Sequence, residues 1–254
     1  MTFSESLPFR IKAFLTHLAG SATVFAIYLY LVFTHWYPEP YFTIENAVQV
    51  TILIGVSLLL GPLLTFLIYV PGKKGLKFDI VVIVVVQLIF LSWGVWVTYK
   101  EHPVFSVFMI DEFRVKRAGN VDMSAINPDV FRGQPEHGLR LIYTLPPQNP
   151  DDRSRLVKEL FYGRGDIDVL PERYRAIKDH LDEVRKQSRD VNKILENHPQ
   201  IKADYLSLMK KLGGRVEDYL FLPVEARKKS FTLVLHKTDA SYAGFLAVDS
   251  WDAK

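Results

Sequence analysis

The sequence predicts a membrane protein of three transmembrane α-helices followed by a soluble α+β domain. Three observations predict it: three uncharged apolar runs fill the first hundred residues, lysine and arginine flank them unevenly, and the pattern then stops for the rest of the chain. The runs are Ala13 to Phe33, Ala47 to Val70 and Ile80 to Thr98. Each is about 19 to 24 residues long, and a helix rising about 1.5 Å per residue needs about 20 to cross a hydrocarbon core of about 30 Å. Lipid offers no partner to a bare backbone, so the runs are expected to be helical even through the β-branched stretch Val81 to Val86. Residues 1–102 are therefore expected to form a three-span domain (spans about 13–33, 47–70 and 80–98), and residues 103–254 one periplasmic α+β domain.

Whole-chain averages hide this division. The chain is 49% hydrophobic, an ordinary value, because an apolar third is diluted by a polar remainder. Residues 1–99 carry five basic and four acidic side chains, which leaves 26 and 24 of the chain's 31 and 28 to residues 100–254. That balance describes a mixed, solvated surface and excludes a basic stripe for nucleic acid. The absence of cysteine removes disulfides, thiol nucleophiles and thiolate metal sites together.

Orientation follows from lysine and arginine, which are enriched in short cytoplasmic flanks. Arg10 and Lys12 precede the first run, the loop from Thr34 to Asn46 has neither residue type, and the loop Pro71-Gly72-Lys73-Lys74-Gly75-Leu76-Lys77 has three lysines. This predicts a cytoplasmic N-terminus in a bacterial inner membrane, with residues after Tyr99 in the periplasm. Aromatic residues agree: Trp36, Tyr37, Tyr41 and Phe42 sit at one outer boundary, and Trp93, Trp96 and Tyr99 ride the outer half of the third run. The first run is too long for a signal-peptide core and lacks a small-x-small cleavage site, so it is expected to be retained as an anchor.

Beyond the membrane, Pro103 to Val115 is rich in Val and Phe and predicts a strand, as does Gly138 to Leu145, closed by Pro146-Pro147. Asn149-Pro150-Asp151-Asp152 opens a helix to about Phe161, with an Asn cap, Pro at the first position and acids over the positive end of the dipole. From Pro171 to Asn197, Tyr174, Ile177, Leu181, Val184, Ser188, Val191 and Leu195 recur at spacings of three and four, which predicts one amphipathic helix of about 25 residues. A shorter helix over Gln200 to Leu212 should stop at Gly213-Gly214. Three strands are expected to follow, Tyr219 to Pro223, Phe231 to His236 and Tyr242 to Val248, the last two joined as a hairpin through Thr238-Asp239-Ala240-Ser241.

Candidate chemistry is sparse. Within the spans, Ser57, Gly61 and Thr65 lie on one face of the second helix and Pro62 interrupts its hydrogen-bond ladder. That ridge packs either against the protein's own spans or against a partner, and Ser57, Gly61, Pro62 and Thr65 are the candidate partner-binding residues. His17 is expected to be a satisfied histidine near the inner boundary. In the cytoplasmic loop, Pro71, Gly72, Lys73, Lys74, Lys77 and Asp79 fit anionic headgroups and a tight, shaped turn. Asp111-Glu112 and Asp166/Asp168, the latter in the loop Gly163-Arg164-Gly165-Asp166, are the nearest approach to paired carboxylates and are expected to be solvated turn acids. No histidine spacing suits zinc, and no nucleophile elbow, P-loop or dinucleotide fingerprint occurs, so no catalytic, cofactor-binding or metal residue is assigned.

Gly61-Pro62-Leu63-Leu64-Thr65, Pro71-Gly72-Lys73-Lys74 with Leu76-Lys77-Phe78-Asp79, Gln87-Leu88, and Pro103-Val104 leading through Val107-Phe108 to Asp111, Phe113 and Val115 together resemble type IV pilin accessory proteins of the TfpX/TfpZ type. Leu222-Pro223 before a basic stretch and the terminal Asp249-Ser250-Trp251 are similar to that family's ending. The chain departs from the family pattern at Val56-Ser57, where an acidic residue is common, and at His102, where arginine is. The resemblance implies a non-enzymatic helper without cofactor, in the lipid bilayer, whose partner is the cognate major pilin. An unassembled pilin keeps its apolar N-terminal helix in the same membrane and its head on the periplasmic side. The rival classes are a membrane-anchored periplasmic enzyme, which needs a compact nucleophile, base and oxyanion donor, and an envelope sensor or solute-binding module, which needs a deep polar-lined pocket.

Overall fold

The three apolar runs are helical; the first and third helices run beyond them, whereas the second ends at Ile68, short of the expected Val70. The computed structural model describes residues 3–45, 47–135, 138–163 and 166–253. Helix α1 (Phe3–Leu31) continues through a π-helical turn at Val32–Trp36, a short α2 (Tyr41–Ile44) follows, and α3 (Ala47–Ile68) and α4 (Leu76–Glu101) complete the set. Glu5–Trp36, Ala47–Ile68 and Leu76–Glu101 are each long and apolar enough to cross a membrane. The first and third helices add charged turns at their ends, with Glu5, Arg10 and Lys12 on one and Lys77, Asp79, Lys100 and Glu101 on the other. Ile52, Leu53, Leu60, Ile89 and Phe90 face outward, as lipid-facing side chains do. Helix α3 packs against both α1 and α4.

The rest of the chain builds a seven-stranded mixed sheet. Its strands are β1 (Pro103–Met109), β2 (Glu112–Arg117), β3 (Leu141–Thr144), β4 (Tyr174–Ala176), β5 (Tyr219–Glu225), β6 (Phe231–His236) and β7 (Tyr242–Leu246), in the order β4-β3-β1-β2-β5-β6-β7. The segment expected as one strand, Pro103 to Val115, is a hairpin. Ile110 takes a positive φ of 61° and turns the chain so that Met109 pairs with Glu112 and Phe108 with Phe113. Strands β1 and β3 pair in parallel, as do β2 and β5, which gives the sheet its mixed character. The β6–β7 hairpin forms where expected, with Ala240 at φ 56°.

Helix α5 (Pro150–Phe161) begins as its sequence dictates, with the Asn149 side chain accepting from Asp152 N–H at 2.8 Å. The helix expected over 171–197 does not form as one element. Short 3-10 turns flank β4, α6 (Leu181–Lys186) follows, and α7 (Val191–Asn197) starts afresh at an Asp190 cap. The seam residues Tyr174, Ile177, Val184 and Val191 are buried as the periodicity requires, but on separate elements. The reason lies in pairing with the sheet: β4 takes the open edge of β3, and at the second break Arg189 N–H donates to Phe221 O at 2.7 Å while Ser188 Oγ accepts from Phe221 N–H at 2.9 Å. Helix α8 (Lys202–Leu212) ends at Gly213, φ 71°.

Two cores result from the period-two alternation of β5. Tyr219 and Phe221 pack with Ile194, Ile201 and Tyr205 beneath α7 and α8. Leu220, Leu222 and Val224 point the other way, into a cluster that runs without interruption through Phe108, Phe113 and Leu233 to Tyr37, Tyr41, Val32, Ile54 and Leu58. The sheet therefore rests directly on the end of the helix bundle opposite the Lys73-Lys74 loop.

Candidate functional site

Pro62 has no N–H, so the carbonyl of Leu58 one turn earlier loses its helical donor, a costly loss at membrane depth. Gln87 of α4 replaces it. The Gln87 amide donates to Leu58 O at 3.0 Å and to Ser21 Oγ of α1 at 3.2 Å. The Gln87 carbonyl oxygen lies 3.0 Å from His17 Nε2, and His17 Nδ1 lies 2.8 Å from Thr65 Oγ1. A neutral imidazole with its proton on Nε2 satisfies both contacts, donating to Gln87 and accepting from the Thr65 hydroxyl. One cluster thus ties all three spans together.

Gly61 makes room for it. A Cβ at this position would stand 1.9 Å from Gln87 Oε1, so no other residue admits the amide where Pro62 demands it. The pair Gly-Pro acts as a unit: proline frees a carbonyl, and glycine opens the path to it. At the C-terminal end of α3, the buried Arg10 caps the same helix, donating through Nη1 to Phe66 O at 3.2 Å and Leu67 O at 2.7 Å. That places a cation on the negative end of the α3 dipole.

The candidate ridge thus divides. Gly61, Pro62 and Thr65 are buried against the chain's own α1 and α4, whereas Ser57 is half-buried and its hydroxyl donates back to Leu53 O at 2.9 Å. His17 is satisfied, as expected, by Thr65 of α3 and Gln87 of α4. In the loop, Gly72 and Gly75 take φ of 77° and 85°, which a tight turn into α4 requires. Lys73 pairs with Asp79 at 2.6 Å, Lys74 and Lys77 are exposed, and Pro71 is half-buried. Asp79 lies in the first turn of α4, over its positive end.

With α3 as the back wall, α1 and α4 leave a groove that opens sideways at membrane depth. Thr16, Gly20 and Val24 form one lip and Val84, Leu88 and Leu91 the other, with His17, Gln87 and Leu58 in the floor. It continues past Ala13 and Phe9 toward the N-terminal end of α1. Nothing lies within 4 Å of a Cβ built at Gly20.

A second polar set joins bundle to sheet. Tyr41 Oη lies 2.6 Å from Ser106 Oγ of β1, and Tyr28 Oη lies 3.2 Å from Thr98 Oγ1. Glu101, the last residue of α4, binds Arg117 of β2 at 2.7 Å and also Arg227. Glu45 is buried and accepts from Arg227 N–H at 3.4 Å; burial raises its carboxyl above the usual range, opposed by that hydrogen bond and by Arg117. Burial likewise raises the Tyr41 phenol.

The paired acids are more than the solvated turn acids expected: only Asp166 is exposed, and all four are engaged by cations. Asp168 is buried against Lys116, Asp166 binds Arg114 at 3.3 Å, Glu112 binds Arg114 at 3.1 Å, and Asp111 receives Arg189 at 3.3 Å. Each acid serves a cation of the sheet or its flanks. Arg164 and Gly165 of the neighbouring loop, and Asn46 of the first loop, lie outside the described residues. Among the described residues no group of His, Asp and Glu is arranged to hold a metal. A cleft between Leu141, Ile177 and Tyr242 contains Asp239, whose carboxylate is held below its usual range by Ser241 N–H at 2.9 Å and is thereby committed to the hairpin turn.

Neither Gln87 nor His17 was assigned a site from the residues alone. The available signal was a lone polar side chain between Ile80 and Leu91, opposite a span broken by proline.

Three apolar helices tied by one polar cluster and capped by a mixed sheet define a three-span membrane protein with an α+β domain. Residues 5–45 match the family described as fimbrial assembly protein FimB. A fimbrial assembly protein of serogroup I from Dichelobacter nodosus is 27% identical over 242 residues, covering 93% of this chain and 94% of the relative. That organism's serogroup E1 protein is 25% identical over 228 residues, covering 87% and 88%, and its serogroup C1 and C2 protein is 35% identical over 108 residues, covering 41% and 82%. The chain belongs to the family of fimbrial assembly proteins. This agrees with the resemblance to type IV pilus accessory proteins carried by Gly61 to Val115. No solved structure matches the chain.

Proposed function

We propose that this protein is a non-enzymatic accessory of the bacterial inner membrane that takes part in pilus assembly, stabilising the cognate type IV pilin or assisting its incorporation in a chaperone-like way. The N-terminus is cytoplasmic in this reading, residues 1–102 form the membrane part and residues 103–254 the periplasmic part. The names of the relatives support a role in assembly, and the observation that carries the mechanism is the groove between α1 and α4. Lipid tails are as apolar as leucine, so a partner helix gains nothing from mere burial and needs a place of close approach. The small residues Thr16 and Gly20 on one lip offer that, and the apolar facing lip suits the apolar N-terminal helix of an unassembled pilin. Gly61, Pro62 and Thr65 act from behind by holding Gln87 and His17 in the floor, while the sheet domain stands beside the pilin head.

Gly20→Leu tests this cleanly, because the new side chain enters open space and strains nothing of the protein's own. Co-purification of the pilin with the full-length variant should fall at least tenfold while the variant's own thermal unfolding in detergent is unchanged. Undiminished capture of pilin by Gly20→Leu would remove the groove from the mechanism.

A further inference from the structure

The turn between β5 and β6 carries Arg227, Lys228 and Lys229, and two independent contacts hold it at the membrane boundary. The Arg227 guanidinium binds Glu101, the last residue of the third span, and the Arg227 backbone N–H donates to Glu45, two residues before the second span begins. The height of that boundary is marked by a different feature. Trp93, Trp96 and Tyr99 are exposed along the outer part of α4, the side chains that settle at headgroup level, and Glu101 is one half-turn beyond Tyr99.

Lys100, Lys228 and Lys229 are exposed at this level, and none forms an ion pair among the described residues. Of the carboxylates here, Glu45 and Glu101 are already engaged by Arg117 and Arg227, and Glu39 of the loop before α2 lies near Tyr242. Positive charge is left in excess at the depth of the lipid phosphates. Neither the topology rule nor the assembly role asks for it, because lysine enrichment is expected at the opposite boundary.

We propose that Lys100, Lys228 and Lys229 form a binding site for anionic phospholipid headgroups on the domain side of the membrane. The site clamps the sheet domain to the bilayer: headgroup phosphate and glycerol oxygens accept from the lysine ammonium groups, while Arg227 keeps the turn on the end of α4. A basic side chain near an anionic surface multiplies local attraction about fivefold, and salt screens it.

The tryptophans of α4 supply the readout. The full chain is placed in nanodiscs containing equal phosphatidylglycerol and phosphatidylcholine, one or the other brominated on its acyl chains, and tryptophan quenching is compared. Trp36, Trp93 and Trp96 lie in or at the end of spans on the domain side, so quenching reports lipid there and not at the Lys73-Lys74 loop. Brominated phosphatidylglycerol should quench several-fold more effectively than brominated phosphatidylcholine, and Lys228→Gln with Lys229→Gln should remove most of that preference, as should high salt. Lys73→Gln with Lys74→Gln should leave it intact. Equal quenching by the two lipids in the unaltered chain, or a preference unchanged by the Lys228/Lys229 double variant, would overturn the proposal. Loss of the preference when phosphate replaces chloride at equal ionic strength would assign the lysines to free anions instead and overturn it as well.

Discussion

In the sheet domain the residues withdrawn from the surface include Phe105, Val107, Leu222, Leu233 and Leu235, whereas in the helix bundle they include Gly61, Thr65 and Thr98 while Leu53, Leu60 and Ile89 face outward. The same rules of packing apply in both regions, but the solvent differs. Water drives apolar surface inward, so the domain is held by area removed from water. Lipid has no such preference, and the bundle is held by close approach and by hydrogen bonds that settle backbone groups left open by Pro62. The lesson is that the few polar residues at membrane depth need not mark transport or catalysis. Here His17, Ser21, Thr65 and Gln87 satisfy one another and the orphaned carbonyl of Leu58.

The strongest way to break this comparison is to truncate one core of each kind. Leu222→Ala removes a fully buried side chain from the sheet and should cost about 2 to 5 kcal/mol, seen as an earlier transition in denaturant unfolding of the full chain. If the domain tolerated it with almost no shift, apolar burial would not be its main support. The bundle should respond in the opposite sense to hydrophobicity. Gln87→Leu makes α4 more apolar yet should destabilise helix association by about 1 to 2 kcal/mol, because Leu58 O, His17 and Ser21 lose a partner together. Gly61→Ala should cost a similar amount by displacing the amide, and almost nothing further once Gln87 is already Leu. Additive effects of the two changes, read by unfolding in mixed micelles, would show that glycine and glutamine act separately.

A smaller effect sharpens the boundary between the regions. Glu45 is buried between bundle and sheet with its carboxyl pushed up by desolvation. A raised acid favours the folded state most when protonated. Its contribution is therefore complete below the ordinary glutamate range and is lost as pH climbs through the raised value. Thermal unfolding monitored through the junction should thus weaken over that rise, and Glu45→Gln should flatten the dependence. A slope that is the same in Glu45→Gln assigns the titration to another group.

Legibility in the sequence followed the range of the interactions. The three spans were evident because about 20 apolar residues in succession admit few alternatives. The cap at Asn149, the stop at Gly213 and the β6–β7 hairpin were also evident, since each is settled by residues within a few positions. Tyr174 to Leu195 misled for the complementary reason. Their helical spacing is real, yet β4 won an edge of the sheet and Arg189 and Ser188 won hydrogen bonds to Phe221, partners whose position no local window contains. Within the candidate site, Gly61, Pro62 and Thr65 stood out as polar or helix-bending groups in lipid, but Gln87 looked like one more residue of an apolar span.

The chain by itself determined that three stretches must be helical in lipid and that lysine is distributed unevenly about them, because length, apolarity and charge are properties of residues and not of contacts. Only the tertiary structure decided that Gly61 and Thr65 face inward, that Gln87 completes the backbone Pro62 leaves open, and that Arg227 is pinned to Glu45 and Glu101 at the edge of the membrane. Those outcomes rest on pairs 29 to 182 residues apart in sequence, and such pairs acquire an energy only when folding brings them within hydrogen-bonding distance.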